Sequence, residues 1–203
     1  MTSSSAILSI LETAERSLVA PHYDLSLAWR YEIWKALGPG DRPVGVTGEG
    51  HRRRARLAIL GAGKVLPLWE RWRRGDLRPR RMLELAERRL QTGEQPPDDE
   101  DLEYFDVELD NLHAATKRAA VLVGYAALHA YRVAVEDHHF DADETPDPAD
   151  YDEPDPARDA AIAYANGLPG EAGSDGALRR EFWLWWLREA VPAAADPVRV
   201  PPK

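Results

Sequence analysis

The sequence predicts an all-α protein, a single irregular bundle of about seven helices around a long central helix. Apolar residues recur every three or four positions at about 51–94 and again at about 102–133, which is the spacing of one helix face. Near the C-terminus, Phe182 to Leu187 is apolar on every side. That composition is expected of a helix inserted between others.

The first two helices are predicted from apolar faces and from glycine and proline punctuation. One runs from about residue 5 to 19, and the next, capped by Asp24 or Ser26, ends at Gly38. Residues 38–50 then form a glycine-rich loop, which lacks the lysine and the serine or threonine that complete a phosphate-binding P-loop. We therefore expect two structural helices and no phosphate site here.

The third and fourth helices are predicted in the stretch from His51 to Glu94. Pro67 lies inside the first apolar pattern, and a proline removes a backbone donor and crowds the preceding turn, so we expect a kink. Asp76 and Pro79 then open the next helix, because proline is tolerated in a first turn. Gly93 is placed to close that helix.

Arginine is concentrated between Arg52 and Arg81, which makes nucleic-acid binding one alternative function, because arginine clusters neutralise phosphates. The whole chain nevertheless carries 35 acidic against 26 basic residues and a net charge of -9. In such a chain, basic helix faces usually pair with the chain's own carboxylates or stay solvated. We therefore expect no direct contact with nucleic acid and no attraction of the whole molecule to an anionic membrane.

The longest regular pattern predicts the central helix. After an acidic run at residues 98–101, apolar residues follow at alternating steps of three and four from Leu102 to Val133, the spacing of a helix-packing seam. From Ala119 to Val135 the chain is apolar nearly all round and rich in small residues, so other helices are expected to surround it. The pattern also fits two successive helices.

The segment from Glu136 to Asp159 is the most unusual local feature, with eleven acidic residues against one arginine. A metal-dependent enzyme built on His138 and His139 is an alternative, but adjacent side chains point in different directions and no histidine pair one helical turn apart is present. We expect an acidic loop at about residues 137–155, either solvated or used in recognition. The expected partner-binding residues are Asp141, Asp143, Glu144, Asp147, Asp150, Asp152, Glu153 and Asp155.

The C-terminal region predicts two further helices. The first starts at Asp155-Pro156 and stops at Asn166-Gly167. The second is capped by Ser174 or Asp175 and ends at Pro192, and a loose tail follows at about 193–203. The second contains three tryptophans in four positions. Either this helix is inserted between others or one tryptophan faces a partner. We favour insertion and expect Trp185→Ala to cost about 3 to 5 kcal/mol.

Composition excludes several other classes of protein. The chain has no cysteine, which excludes disulfides and thiolate metal sites. Its start has no positively charged region before an apolar run, so neither a secretory signal nor a membrane span is predicted. A complete catalytic constellation is also missing from the sequence. We therefore expect a cytoplasmic protein without a metal, a cofactor or an enzymatic activity.

Three motifs stand in order along the chain: Lys64 to Glu70, then Asp76 to Arg81 with Leu83 to Ala86, and Arg180 to Leu187. Together they resemble the immunity-protein-5 family of bacterial polymorphic toxin systems, over most of the chain from about Leu57. The resemblance implies an all-helical, non-enzymatic cytoplasmic protein that binds and neutralises a cognate toxin domain. The acidic loop favours a nuclease toxin, because an acidic surface can occupy a basic substrate groove in place of phosphates.

Overall fold

The computed structural model describes residues 3–38, 48–97, 99–116, 118–135 and 155–196. Within these ranges every regular element is a helix, which confirms the predicted all-α class. The helices are α1 (Ser3–Arg16), α2 (Leu27–Ala36), α3 (Glu49–Trp72), α4 (Arg78–Thr92), α5 (Glu100–Glu103), α6 (Phe105–Thr116), α7 (Val121–Val135), α8 (Pro156–Tyr164) and a C-terminal helix made of α9 (Gly176–Trp185), a π segment (Trp186–Ala190) and α10 (Val191–Ala195).

Helix α7 lies at the centre and packs against α3, α4, α6 and α8. Its alanines at 126, 127, 130 and 134 are buried, and small side chains let neighbouring helices approach. At Gly124 a side chain would overlap Leu109 of α6, which is itself fully buried, and would lie 3.2 Å from the ring of Trp69 in α3. The predicted apolar second half of the central helix is therefore the core helix of the fold.

The long central helix predicted for residues 102–135 is divided in the structure into α5, α6 and α7. At the end of α6 the Thr116 hydroxyl donates to the Leu112 carbonyl at 2.7 Å and accepts from the Arg118 amide at 3.4 Å. Such local bonds compete with the helical ladder. This division explains why the described ranges contain nine helices, with the C-terminal run counted as one, where about seven were expected.

The predicted helix end at Pro192 is wrong, because the C-terminal helix continues to Ala195. Before the proline the helix widens, and the amide of Val191 bonds to the carbonyl of Trp186, five residues back. A π segment changes which carbonyls are paired, and it accommodates a proline that lacks a donor and would crowd a regular α-helical turn. Ala193 and Ala194, which the sequence assigned to a loose tail, are buried in this last turn.

Several predicted helix boundaries are confirmed. Asp155 and Asp175 are the N-caps of α8 and α9, and each carboxylate accepts backbone amides of the first turn. Gly93 ends α4 in the left-handed region with φ of 76°. The predicted side-chain cap of α2 is wrong, because Ser26 stands at its N-cap position without a side-chain bond. Pro67 lies inside α3, which continues through it.

Candidate protein-binding surfaces

The predicted partner-binding residues fall into two groups. Asp155 lies in the described part of the chain, whereas the other residues lie between 136 and 154, outside it. The residues outside the described ranges are Asp141, Asp143, Glu144, Asp147, Asp150, Asp152 and Glu153.

Asp155 is buried and bonded within the fold. Its Oδ2 lies 2.6 Å from Nε of Arg30, and both side chains are less than a tenth exposed. Its Oδ1 accepts the backbone amides of Ala157 at 3.1 Å and Arg158 at 2.9 Å. Because both oxygens are occupied internally, the partner surface that we propose below does not include Asp155.

Helices α6, α7 and α8 carry a carboxylate-rich network, which we call the acidic face (Asp106, Asp110, Tyr125, His129, Arg132 and Asp159). The Tyr125 hydroxyl donates to Asp110 of α6, and Nδ1 of His129 lies 2.8 Å from Oδ2 of Asp159 in α8. Arg132 pairs with Asp106 at 3.0 Å. Spacings of four and three place Tyr125, His129 and Arg132 on one side of α7, the helix that precedes the acidic segment in the chain.

Electrostatics within the acidic face favour the neutral forms of two groups. Burial raises the pKa of Asp159, and the hydrogen bond and charge of His129 offset this effect only in part. Burial also raises the pKa of Tyr125, as do its hydrogen bond to Asp110 and the negative charges of Asp159 and Asp106. Asp106 and Asp110 face one arginine, Arg132, which pairs with Asp106, so this side of the molecule keeps a negative character.

The arginine-rich region from Arg52 to Arg81 is mostly paired within the fold. Arg54 is buried and donates to the Gly38 carbonyl at 2.7 Å. On the surface, Arg53 pairs with Glu49 at 3.2 Å, Arg80 with Glu70 at 2.5 Å and Arg81 with Asp99 at 2.8 Å. These pairs reduce the number of cations available to phosphate groups, which weakens the nucleic-acid alternative.

Four charged residues at the junction of α3, α4 and α6 form a second network, which we call the junction cluster (Arg73, Asp76, Arg78 and Glu108). Arg78 binds Glu108 at 2.5 and 2.9 Å and Asp76 at 2.7 and 2.9 Å. Arg73 adds a contact to Glu108 at 3.3 Å. The hydrogen bond from Arg78 lowers the pKa of Glu108. Bidentate arginine pairs are geometrically specific, so this cluster fixes the start of α4 against α6.

Exposed apolar side chains lie beside the junction cluster. Leu77 precedes Arg78, and Tyr104 and Val107 flank the residues of α6 that Arg78 contacts. Their exposed fractions are 58%, 66% and 55%. Sequence reasoning missed this group because Leu77 and Tyr104 are distant in the chain, and Val107 fits a generic amphipathic pattern.

The described ranges offer neither a metal site nor a membrane span. Among these residues, no group of three or more His, Asp or Glu side chains is placed to hold a metal ion. His138 and His139, on which the metal-dependent alternative rests, lie outside the described ranges. No described helix is both long enough and apolar enough to cross a bilayer.

A family model described as Immunity protein Imm5 matches residues 11–193, nearly the whole chain. The chain belongs to the Imm5 family. A search of curated proteins finds no match to it. The match confirms the resemblance that the three sequence motifs carry, and it extends the likeness toward the N-terminus, beyond Leu57.

The motifs that indicated the Imm5 family are largely core-forming in the structure. Trp69 from the first motif, Leu83 from the second, and Trp183 and Trp186 from the third are all buried. These residues hold the helices together, so their pattern identifies the Imm5 fold. They do not identify the surface that meets a partner, which must be sought among the exposed residues of the acidic face and the junction.

Proposed function

We propose that this Imm5 protein binds a cognate toxin domain of a bacterial polymorphic toxin system in the cytoplasm and neutralises it. The observation that carries the proposal is the family match over residues 11–193. Neutralisation proceeds by binding, because an immunity protein needs to cover the toxin's active site and needs no catalytic group of its own. The supporting structural observation is a helical framework whose polar clusters serve to fix helices to one another.

The proposed contact is the acidic surface formed by Asp141, Asp143, Glu144, Asp147, Asp150, Asp152 and Glu153, supported by the neighbouring acidic face. We propose a nuclease as the target, because nuclease substrate grooves are basic. An acidic surface enters such a groove in place of the phosphates and occludes the active site. The net charge of -9 adds long-range attraction, which accelerates the encounter and weakens as salt rises.

Co-expression tests the proposal directly. The toxin domain encoded beside this chain's gene is expressed in a bacterial host with and without the Imm5 protein. Rescue of growth and co-purification of the two proteins are the expected results. A host that dies in the presence of well-expressed Imm5 protein, with no complex recovered, contradicts the proposal.

Charge reversal tests the acidic contact. Changing Asp150, Asp152 and Glu153 to lysine should slow association with the toxin domain and weaken the dependence of that rate on salt. The matched control reverses Glu12, Glu84 and Glu87, which are exposed acidic residues on α1 and α4. Equal association rates for the two triple variants would show that net charge alone matters and that residues 150–153 make no specific contact.

A further inference from the structure

Four apolar residues lie at the junction, and we call them the Tyr104 patch (Trp72, Leu77, Tyr104 and Val107). Contacts of their chain neighbours bring them together, because Arg78 meets Phe105 and Glu108. Leu77, Tyr104 and Val107 are each more than half exposed, and Trp72 is half-buried at the end of α3. Tyr104 lies in the turn before α6, and Val107 lies in the first turn of that helix. Contiguous exposed apolar side chains mark interaction sites more often than scattered ones do.

The framework under the Tyr104 patch is fixed. The indole Nε1 of Trp69 donates to the Asp76 carbonyl at 3.1 Å, and Trp69 stacks edge to face on Trp72 and on Phe105. The Arg78 guanidinium lies 4.5 Å from the Phe105 ring centroid while it holds Asp76 and Glu108. A surface already held in its binding conformation loses little entropy when a partner docks.

The charge on the Trp72 side of the Tyr104 patch is positive, whereas Glu103 is exposed beside Tyr104. Within the junction cluster, two arginines balance two carboxylates. Arg71, Arg74 and Arg118 are exposed around Trp72 and make no ion pair in the part of the chain that the structure describes. Arg118 instead lies 5.9 Å from the Trp72 ring. This local excess of cations stands out on a molecule of net charge -9, and a carboxylate-bearing partner complements it.

We propose that the Tyr104 patch is the anchoring contact for the toxin domain, and that the toxin surface seated on it presents an apolar side chain together with carboxylates that face the arginines beside Trp72. This inference rests on the proposed immunity function and adds a second point of contact to the acidic surface. Tryptophan, tyrosine and arginine are the residues that dominate binding energy at protein interfaces. The Tyr104 patch supplies a tryptophan and a tyrosine, and arginines lie beside its Trp72 side.

The two contacts have different kinetic roles. The acidic surface attracts the partner over a distance and therefore sets the association rate. The Tyr104 patch acts only after contact, when its apolar side chains are removed from water, and it therefore sets the dissociation rate. This difference allows each contact to be tested without disturbing the other.

The test measures the binding kinetics of the full Imm5 chain on the immobilised toxin domain that is encoded beside its gene. Leu77→Ser and Tyr104→Ala should each raise the dissociation rate on the order of 30-fold, the effect of losing a dominant interface residue. The association rate should stay within about threefold of the wild-type rate. Leu8→Ser is the matched control, because Leu8 is 57% exposed and Leu77 is 58% exposed.

A second pair of variants tests the charge of the patch. The double change of Arg71 and Arg74 to alanine should raise the dissociation rate several-fold. The double change of Arg52 and Arg88, which are also exposed, should leave that rate unchanged. All four positions are exposed, so the variants keep the core and are expected to fold.

The outcomes separate the two proposals. A wild-type chain that neither binds nor protects overturns the immunity function and the anchoring contact with it. A wild-type complex with unchanged dissociation for Leu77→Ser, Tyr104→Ala and the arginine pair overturns the anchoring contact alone. Sedimentation showing a wild-type dimer that becomes a monomer in Tyr104→Ala also overturns it, because a second copy would then occupy the patch.

Discussion

Among single residues, Asp155 shows how one side chain can join distant parts of the chain. It caps α8 and pairs with Arg30 of α2, 125 positions away. The capping role can be predicted from the Asp-Pro dipeptide that starts a helix. The pairing cannot, because nothing local in the sequence indicates which arginine will lie beside it. From sequence alone Asp155 belongs to the acidic loop, because it ends the run of carboxylates there.

Asp155→Ala should destabilise the protein by about 3 to 5 kcal/mol, because it leaves the buried Arg30 without its partner and removes a cap. Asp175→Ala is the matched control: Asp175 caps α9 through the same two first-turn amides but is exposed, so its loss should cost about 1 kcal/mol. Urea unfolding followed by circular dichroism measures both. Equal costs would show that the Arg30 pair adds nothing beyond the cap.

The three C-terminal tryptophans differ in burial. Trp183 and Trp186 are fully buried, and Trp185 is half-buried beneath Lys64, whose Nζ lies 4.8 Å from its ring. Two of the three tryptophan side chains are therefore enclosed by other helices, as the predicted insertion requires. The helical repeat alone gives no basis for ranking them, because the segment is apolar all round.

Trp186→Ala should destabilise the fold by about 3 to 5 kcal/mol, since it opens a cavity beside α3. Trp185→Ala, which was expected from sequence to cost that much, should cost clearly less, because part of its ring is already in water. The comparison uses urea midpoints at constant protein concentration. A larger loss for Trp185 than for Trp186 would contradict the packing described above.

At the scale of elements, α7 makes a close contact with α6 and α3 at Gly124. Gly124→Ala should destabilise by about 1 to 3 kcal/mol through overpacking, although alanine is the better helix former by about 1 kcal/mol. Gly63→Ala is the control, because Gly63 lies exposed in α3 with open space around it. That variant should gain stability. Thermal unfolding of both proteins measures the two effects, and a stabilised Gly124→Ala would refute the close approach.

The junction cluster joins α4 to α6 and should make this contact sensitive to acid. The hydrogen bond from Arg78 lowers the pKa of Glu108 below its ordinary value of 4.5. Burial alone would raise the pKa of Asp76, but bonds from Arg78 and the charges of Arg78 and Arg73 lower it. A carboxylate with a lowered pKa stabilises the folded state above its unfolded pKa, and that contribution is lost as pH falls through the folded pKa.

Glu108→Gln should therefore lower stability at about pH 7 and have a smaller effect at about pH 3, where the wild-type carboxylate is itself being protonated. Urea midpoints at the two pH values give the comparison. Glu84→Gln on the exposed side of α4 should change stability little at either pH. A Glu108→Gln effect that is equal at both pH values would show that the ionic bonds to Arg73 and Arg78 contribute no stability.

Some helix boundaries can be predicted from the sequence and others cannot. Caps and stops such as Asp175 and Gly93 are local, since the same few residues supply the signal and the bond. Other boundaries are set by packing. Tertiary contacts decide whether the helix stops after Thr116 or continues, and whether the chain before Pro192 stops or widens into a π segment. For the same reason the central helix was predicted too long and the C-terminal helix too short.

At the scale of the whole molecule, the residues that identify the family are buried, whereas the residues proposed to meet a partner are exposed. Helix α6 lies between the two candidate surfaces. Asp106 and Asp110 belong to the acidic face, whereas Tyr104 and Val107 belong to the patch. The acidic segment was evident from composition, whereas the patch required the fold, because it joins side chains from two helices and two turns.

A single core should also govern unfolding of the molecule. Buried residues from every helix, including Leu11, Trp69, Phe105, Val123 and Trp183, belong to one connected apolar cluster. Chains longer than about 150 residues often unfold through intermediates, but a shared core leaves no helix group that keeps its apolar contacts alone. We therefore expect circular dichroism and tryptophan fluorescence to report one coincident urea transition. Separate transitions would instead divide the chain into two cooperative units and contradict the predicted single domain.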